Sequence, residues 1–327
     1  MKIKVLPLLL VAPLLTSCGN NVKAPKFVKE GDKIDATALN DKVNEIAKAN
    51  PLILVGDEKF PSFVANRASS SSMDETIERG GKVIHESSNY SESKIKYEYD
   101  QSKPMIQSSS KSKSSASLKS KDDVTSTTKT NSKYTTARQV YTDGEDKHVI
   151  TVDVNEKEYS SYLKISESSS AEDIINGYIT LSVSDFTTFG LVAGLLPLMP
   201  EDQQKYYTCY ANEGKKAYTV VYEKEFDKVE DKTDDVLNYT QEHKTSNKYQ
   251  LILGKDDSFK VLIYEEDSYT ETYARDFKNT AHSTYSQFAK GDVWKKVTKR
   301  EYTYEMSKKD VSLKEIDISS FAKTGSW

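Results

Sequence analysis

The sequence predicts an α+β fold that is rich in β-strands: an antiparallel meander sheet with an N-terminal helix and two mid-chain helices packed on it. Three observations support this prediction. Apolar and polar residues alternate over many runs, which is typical of strands with one buried face. Short turns containing Gly, Asn and Asp separate these runs. Strand and helix patterns do not alternate along the chain, so a parallel sheet is not expected.

Composition limits what the protein can do. Only 36% of the 327 residues are apolar, Tyr included, and the formal net charge is −4. The core is therefore thin, and the charge gives no support to nucleic-acid binding. Two Cys rule out a disulfide-dense scaffold, and the four His are too far apart in sequence to form a metal motif. We expect no metal, no cofactor and no nucleic-acid partner.

The first regular element is a predicted helix from about Ala36 to Ala49. Asp35 is a suitable N-cap, and Pro51 ends the helix after Asn50. An apolar stripe at helical spacing marks the side that we expect to be buried: Leu39, Val43, Ile46 and Ala47.

The next stretch of chain is polar. Ser72 and Glu75 have capping-box spacing, which allows a short helix before Gly80 and Gly81. Residues 82–100 alternate in polarity and predict strands with one wet face. Residues 107–136 are rich in Ser and Lys, which is typical of disorder, but also in Thr, which favours strands. Long polar edge strands and a loop are equal alternatives there.

A clearer meander follows from Lys147. We expect hairpins around the turns at 155–156, 212–215, 254–258 and 289–292, the last between strands at 284–288 and 293–297. The acid-rich run Asp227–Asp235 is expected to be a solvated turn, because Val229 occupies a position where a calcium loop needs an oxygen ligand. Residues 311–318 suggest a final strand.

Two predicted helices interrupt the meander. Ser170 can cap one over Ala171–Tyr178, and Ser184 or Asp185 can begin another that runs to about Leu196. The second is unusually apolar. It is either a core helix on the sheet or a lid over a ligand cavity. The residues that would form the lid are Phe186, Phe189, Leu191, Val192, Leu195, Leu196, Leu198 and Met199.

The first eighteen residues carry a targeting pattern. Lys2 and Lys4 precede an uncharged apolar run from Val5 to Leu15, too short to span a bilayer as a helix. The run ends in Leu15-Thr16-Ser17-Cys18. This resembles the lipobox of bacterial lipoproteins. The resemblance implies cleavage before a diacylglyceryl-modified, palmitate-bearing Cys18, and two acyl chains make a stable anchor.

These boundaries predict the domain organisation. Residues 1–17 would be the signal peptide, 18–35 a lipid-anchored tether, and 36–327 a single β-rich domain outside the cytoplasm. The protein would then lie in the cell envelope, anchored to the bacterial cell membrane through Cys18.

The order of the elements resembles the half-barrel carriers, the LolA-like and LppX-like lipoprotein carriers. The resemblance rests on this order over about residues 36–321 and on the tail 314–321. It implies a curved, half-barrel-like antiparallel sheet whose apolar concave face holds acyl chains. The Ser- and Lys-rich section at 107–136 departs from that pattern, because it is poor material for a lipid-facing wall.

Catalytic motifs are absent from the sequence. It contains no GxxxxGK[ST], GxSxG, HExxH or CxxC pattern. Each of the four His is expected to be a structural residue. Cys209 has no base beside it in sequence and is expected to be a small buried hydrophobe. We therefore expect no enzyme.

These observations support three functional hypotheses. The first is a monomeric lipoprotein that binds or carries an apolar or amphipathic ligand such as lipid. The alternative is a cell-surface interaction protein that binds a protein or an envelope polymer, with Lys111, Lys113, Lys119 and Lys121 as contacts. An envelope hydrolase is least favoured.

Overall fold

One large β-sheet dominates the computed structural model, which describes residues 22–53, 60–120, 125–182, 184–282 and 285–325. The long strands are β2 (Phe63–Arg79), β3 (Lys82–Asp100), β4 (Met105–Ser120), β5 (Thr125–Asp143), β11 (Val236–Leu253), β12 (Phe259–Tyr273) and β15 (Val293–Lys308). The short strands are β1 (Asp32–Ile34), β6 (Asp146–Asp153), β7 (Glu158–Lys164), β8 (Tyr207–Asn212), β9 (Ala217–Glu225), β10 (Val229–Thr233), β13 (Phe277–Lys278), β14 (Gln287–Phe288) and β16 (Ala322–Lys323). The helices are α1 (Ala36–Ala49), α2 (Ala171–Ser182), α3 (Ser184–Leu195) and α4 (Glu201–Gln204).

The sheet consists of two meanders joined side by side. One runs β2-β3-β4-β5-β6-β7, and the other runs β8-β9-β11-β12-β15. They join where β15 pairs antiparallel with β2, from Val293 opposite Glu78 to Lys308 opposite Phe63. The only parallel pair among the described strands is β16 with β7. The predicted β-rich α+β fold with an antiparallel meander sheet is confirmed.

The sheet curves around the helices. A single buried cluster includes Cys209 on β8 and Val149 on β6, with side chains of α1, α2 and α3 between them. These two strands lie nine places apart in the sheet, and neighbouring strands are about 4.8 Å apart. A flat sheet would separate β8 and β6 by about 43 Å. One layer of helices contacts both because the sheet wraps around it.

The predicted first helix is confirmed at both ends. The Asp35 carboxylate accepts a hydrogen bond from the Ala38 N–H at 2.8 Å, which caps the helix. Leu39, Val43 and Ile46 are its buried residues, as the apolar stripe predicts.

The two mid-chain helices are also confirmed. Ser170 caps α2, with its hydroxyl accepting from the Asp173 N–H while the Asp173 carboxylate accepts from the Ser170 N–H and hydroxyl. α2 extends four residues beyond the predicted end at Tyr178, to Ser182. α3 ends at Leu195 and continues as a 3₁₀ turn over Leu196–Leu198.

Two polar segments are strands. The Ser72–Glu75 segment, predicted to allow a short helix, lies inside β2, because strands β15 and β3 pair with it on both sides. Of the two alternatives for 107–136, the strands are observed. β4 pairs with β3 and β5 along its whole length, so backbone pairing and cross-strand hydroxyl contacts replace the missing apolar residues.

Three further sequence predictions are wrong. β14 pairs with β13 and not with β15, so the hairpin predicted at 284–288 and 293–297 does not form. Residues 311–318 form no strand, because Leu313 and Ile318 pack as an extended segment on the outer surface of the sheet. Within the predicted turn at 227–235, residues Val229–Thr233 form β10, and the reversal is confined to Asp234 and Asp235, both with positive φ.

The described part of the predicted tether lies against the sheet. Val22 is buried, and the main chain of Val28 both donates to and accepts from the Gln250 side chain of β11. Glu30 forms an ion pair with Lys248. Asn212 donates to the Lys29 carbonyl oxygen. The chain before Val22, including the predicted signal peptide and Cys18, lies outside the described residues.

Among the described helices, none combines the length and apolar character that crossing a membrane requires.

Candidate functional site

The candidate site lies on the inner face of the sheet, which is the face that carries the helices. Along each long strand, alternate residues point to this face, so the register shows which side chains meet there. At the helical end, the inner face is closed by the core around Phe63, Tyr99 and Phe259. At the far end, it is closed by a second cluster around Ile77, Tyr273 and Trp294. The middle of the inner face lies between these two closed ends.

Hydroxyl groups cover the part of this middle region that β2, β3, β4 and β5 form. Cross-strand pairing sets Ser69, Ser93, Ser112 and Ser132 in one row across β2 to β5, and Ser71, Ser91, Ser114 and Thr130 in the next. We call these eight residues the hydroxyl trough. Four neighbouring strands thus present two adjacent rows in which every side chain is a small hydroxyl.

Hydrogen bonds between the strands order the trough. The Ser71 and Ser91 hydroxyls are 2.8 Å apart, those of Ser112 and Ser132 are 2.6 Å apart, and Ser114 bonds with Thr130. All eight residues are half-buried or exposed. Ser71, Ser91 and Ser114 of the second row line part of an open pocket of about 510 Å³, which continues past Asn89 and Thr128. The trough is therefore preformed and accessible, with hydroxyls that can both donate to and accept from a ligand.

Two cations stand at the β15 side of this pocket. Lys296 and Arg300 both line it, and its lining includes no acidic residue. Arg300 lies opposite Ser71 in the register and is 3.8 Å from the Glu265 carboxylate on β12. Lys296 has no ion pair within the described residues. The pocket therefore presents positive charge beside neutral hydroxyls.

An aromatic stack borders the same side of the inner face. The His243 ring lies between Phe226 and Tyr269, with centroid distances of 4.1 and 4.0 Å and nearly parallel planes. The Asp267 carboxylate accepts from the Thr245 hydroxyl at 2.6 Å and lies 3.6 Å from the His243 ring nitrogen. Tyr269 is the cross-strand neighbour of Lys296. The stack therefore fixes the wall next to the two cations.

The structure divides the predicted lid residues into two groups. Phe186, Phe189 and Leu196 are buried in the core at the helical end, and Val192 and Met199 pack against that core. Leu191, Leu195 and Leu198 are exposed by 58%, 50% and 79%. One side of the segment is thus part of the core, which agrees with the alternative that predicts a core helix on the sheet. The other side is an apolar strip of three leucines, which we call the leucine strip.

The far end contains a network of titratable groups. The Glu271 carboxylate accepts from the Tyr273 hydroxyl at 2.6 Å and from the Gln241 amide at 2.7 Å, and it lies 3.1 Å from His282 Nε2. Burial raises the pKa of Glu271, but the hydrogen bonds from His282, Tyr273 and Gln241 outweigh it, so the pKa is below its ordinary value. The Glu271 and His282 side chains are only 4% and 7% exposed. The network is nearly closed to solvent, and its hydrogen bonds hold the loop that carries His282.

The same loop is held at its base by Asp292. Its carboxylate accepts two hydrogen bonds from Arg79, at 2.8 and 2.7 Å, and one from the Ala289 N–H at 2.8 Å. Nearby, Trp294 Nε1 donates to the buried Glu75 carboxylate at 2.7 Å. These contacts close the far end of the trough.

A second pocket lies outside the inner face. It has about 570 Å³ and lies between α1 and the turns that precede β9 and β12. Its lining mixes Lys216 and Lys255 with Asp256 and Asp257. Both of these aspartates have positive φ in the β11–β12 turn. This pocket is a cleft between a helix and tight turns, without a uniform chemical character.

None of the predicted site residues that the structure describes lies in the trough. Cys18 and Lys121 lie outside the described residues. Lys111, Lys113 and Lys119 alternate with the trough serines on β4, so they lie on the outer face. The trough, Lys296 and Arg300 were missed as a site. The alternation of Ser and Lys at 108–114 is the signal that could have revealed it. The part of the chain that the structure describes contains no group of three or more His, Cys, Asp or Glu placed to hold a metal ion.

Comparisons with known proteins add little. The chain matches no protein-family model, and no curated protein is significantly similar to it. The outer membrane protease OmpT from Escherichia coli aligns with 77% of this chain and 98% of its own, at 7% identity and a TM-score of 0.20. A Pseudomonas aeruginosa FadL homologue aligns with 81% of this chain and 94% of its own, at 7% identity and a TM-score of 0.15. Scores this low carry no functional argument.

Proposed function

We propose that this protein is a lipid-anchored, non-catalytic binding protein of the bacterial cell envelope that holds an envelope polymer on the inner face of its sheet. The observation that carries the proposal is the hydroxyl trough, an open, preformed polar surface between two closed ends. Binding sites are concave and largely preformed, with polar groups placed to fix the ligand. The proposal places the protein outside the cytoplasm and needs no cofactor.

The anchor rests on the sequence of the first eighteen residues. Leu15-Thr16-Ser17-Cys18 follows an apolar run with a basic start. Acylated Cys18 would stand four residues before Val22, where the described chain begins against the sheet. The test is growth of expressing cells with labelled palmitate. We expect label on the wild-type protein and none on Cys18→Ser, whereas equal labelling of both would contradict the anchor.

The site is tested by blocking the trough. Ser91→Trp adds a large side chain to the inner face, and Ser117→Trp adds the same group to the outer face of the next strand, where Ser117 bonds with Ser88. Both serines are exposed, so neither change should disturb folding. The ligand source is a protease-treated envelope extract of the source organism. We expect Ser91→Trp to abolish its binding and Ser117→Trp to leave it unchanged. If the two variants bind equally, the inner face is not the site.

The proposal treats the chain as a binder rather than an enzyme. The Glu271–Tyr273–His282 network has acid–base groups in contact, but its carboxylate and imidazole are nearly closed to solvent. A panel of ester, peptide and glycoside substrates tests this. Turnover that is lost in Glu271→Gln would overturn the binder assignment.

The leucine strip favours a second candidate, binding of an apolar or amphipathic ligand such as lipid. Exposed leucines at spacings of four and three residues make a continuous apolar surface on α3 and the turn after it. Native mass spectrometry followed by organic extraction would detect a co-purifying lipid. We expect Leu195→Asp to lower lipid occupancy without unfolding the protein if this candidate holds. A clean apo mass for the folded wild type would remove it.

A further inference from the structure

We propose that the ligand of the trough is an acidic glycan, a polyhydroxylated polymer that carries carboxylate or phosphate groups, with Lys296 and Arg300 as its anion contacts. This inference rests on the proposed function and names the chemical class of its ligand. It follows from which groups line the trough and which are missing from it.

Charge favours an anionic ligand even though the whole protein is acidic. The formal net charge is −4, yet the lining of the trough pocket has two cations and no acid. Three carboxylates face this side: Glu265 and Asp267 from β12 and Glu75 from β2. Glu265 lies 3.8 Å from Arg300, whereas Lys296, which lies opposite Glu75 in the register, forms no ion pair among the described groups. Asp267 is bonded to Thr245, and Glu75 is buried under Trp294. A ligand carboxylate or phosphate would therefore find an available ammonium group at Lys296.

The hydroxyl rows favour a sugar over a peptide. An extended peptide is bound by adding a strand to a sheet edge or by inserting side chains into apolar pockets. The trough has no free edge, because β2, β3 and β4 are each paired on both sides. Its rows of Ser and Thr offer donors and acceptors at every position from β2 to β5, which complements a ligand that carries hydroxyls along its length.

The adjacent residues of β15 provide a matched control. Lys296 and Arg300 point to the inner face, whereas Lys295 and Lys299 point to the outer face. Lys295 is paired with Glu78 and Lys299 with Glu266, at 2.8 and 3.6 Å. Removing either pair of cations changes the net charge by the same amount on the same strand. Only the inner pair touches the proposed site.

The experiment measures binding of defined polymers to the full chain, expressed with its own leader and purified from whichever fraction contains it. The probes are polygalacturonate, neutral dextran and polyglutamate of similar length, in 150 mM salt (about physiological ionic strength). We expect polygalacturonate alone to bind. Lys296→Gln with Arg300→Gln should weaken it about tenfold or more, and Lys295→Gln with Lys299→Gln should not weaken it.

Four results would overturn the inference. If dextran binds as tightly as polygalacturonate, the protein does not recognise the charge of the ligand. If polyglutamate binds as tightly as polygalacturonate, the protein does not recognise the hydroxyl groups of the ligand. An equal loss in the outer-face variant would show that the trough cations are not the contacts. The last result is that polygalacturonate fails to bind, while the wild type still binds the envelope extract and the Ser91→Trp variant does not. In that case the ligand class is wrong and the proposed site stands.

Discussion

Asp292 shows how a single carboxylate can hold a loop to a sheet. Its side chain is fully buried, and Arg79, whose side chain is 43% exposed, meets it with two hydrogen bonds. Burial raises the pKa of Asp292, but the Arg79 and Ala289 hydrogen bonds outweigh it and hold the pKa below its ordinary value. The ionised form is therefore the form that the folded state prefers.

We expect Asp292→Asn to destabilise the protein by about 2 kcal/mol at pH 7, since hydrogen bonds to charged groups contribute about 1.5–3 kcal/mol and Arg79 regains some hydration. Because the pKa of Asp292 is lower in the folded state, its carboxylate stabilises the fold at pH values above the unfolded-state pKa, which is about 3.9 for Asp. This stabilisation is lost as the pH falls through the folded-state pKa. The variant should therefore lose less stability than wild type between pH 5 and pH 3. Urea unfolding at several pH values measures both effects.

The control for Asp292 is Glu78→Gln, which removes a more exposed partner of Lys295. We expect this variant to stay within about 0.5 kcal/mol of wild type at pH 7, as is usual for surface ion pairs. If Asp292→Asn is as stable as Glu78→Gln, the Arg79 contact does not hold the loop.

Cys209 gives a second prediction at the residue scale. Burial raises the pKa of its thiol to about 11. Only about one molecule in a thousand would be a thiolate at pH 8, so we expect no rapid reaction with Ellman's reagent until urea unfolds the chain. Cys209→Ala is the control, and any thiol remaining in that variant belongs to Cys18. Rapid reaction of the folded wild type that is lost in Cys209→Ala would contradict the prediction.

At the scale of elements, α3 has two opposite faces. Phe189 has no exposed surface and lies in the main core, whereas Leu195, six residues later, is 50% exposed. We expect Phe189→Ala to cost about 3–5 kcal/mol through the cavity it leaves. Leu195→Ser should change the free energy of unfolding by no more than about 0.5 kcal/mol. Thermal and urea unfolding compare the two, and similar losses would show that the leucine strip is core.

At the scale of the whole molecule, the C-terminal segment is a cover on the outer face. Leu313 packs with Met105 and Ala137, and Ile318 packs with Ile150 and Val152. The Asp100 carboxylate accepts a hydrogen bond from the Leu313 N–H. The Gln139 side chain donates from Nε2 to the Ile316 carbonyl oxygen and accepts at Oε1 from the Ile316 N–H. The segment therefore seals the outer surface of β4 to β6.

We expect a chain that stops after Lys308 to be destabilised by several kcal/mol, because burying each aliphatic side chain contributes roughly 1.5–3 kcal/mol. A chain that stops after Phe321 is the control, since it removes β16 but keeps the cover. Circular dichroism melting curves measure both. Equal melting temperatures would show that the cover contributes nothing.

The sequence alone predicts the fold class, the first helix and most hairpins. These depend on short-range signals: the Asp35 cap, the stop at Pro51, and alternation broken by tight turns. It does not distinguish strands from a loop at 107–136, because backbone pairing with neighbouring strands stabilises that stretch and apolar burial does not. The strand predicted at 311–318 is wrong for a different reason: an extended chain on a sheet surface has the same alternation as a paired strand.

The location of the candidate site depends on long-range strand pairing and cannot be predicted from local patterns. Ser71, Ser91 and Ser114 are each ordinary polar residues in sequence, and they form a row because the register of β2, β3 and β4 brings them together. Lys296 and Arg300 join them only because β15, more than 150 residues later, pairs with β2. Local patterns specify elements, but a surface built from five strands depends on long-range pairing.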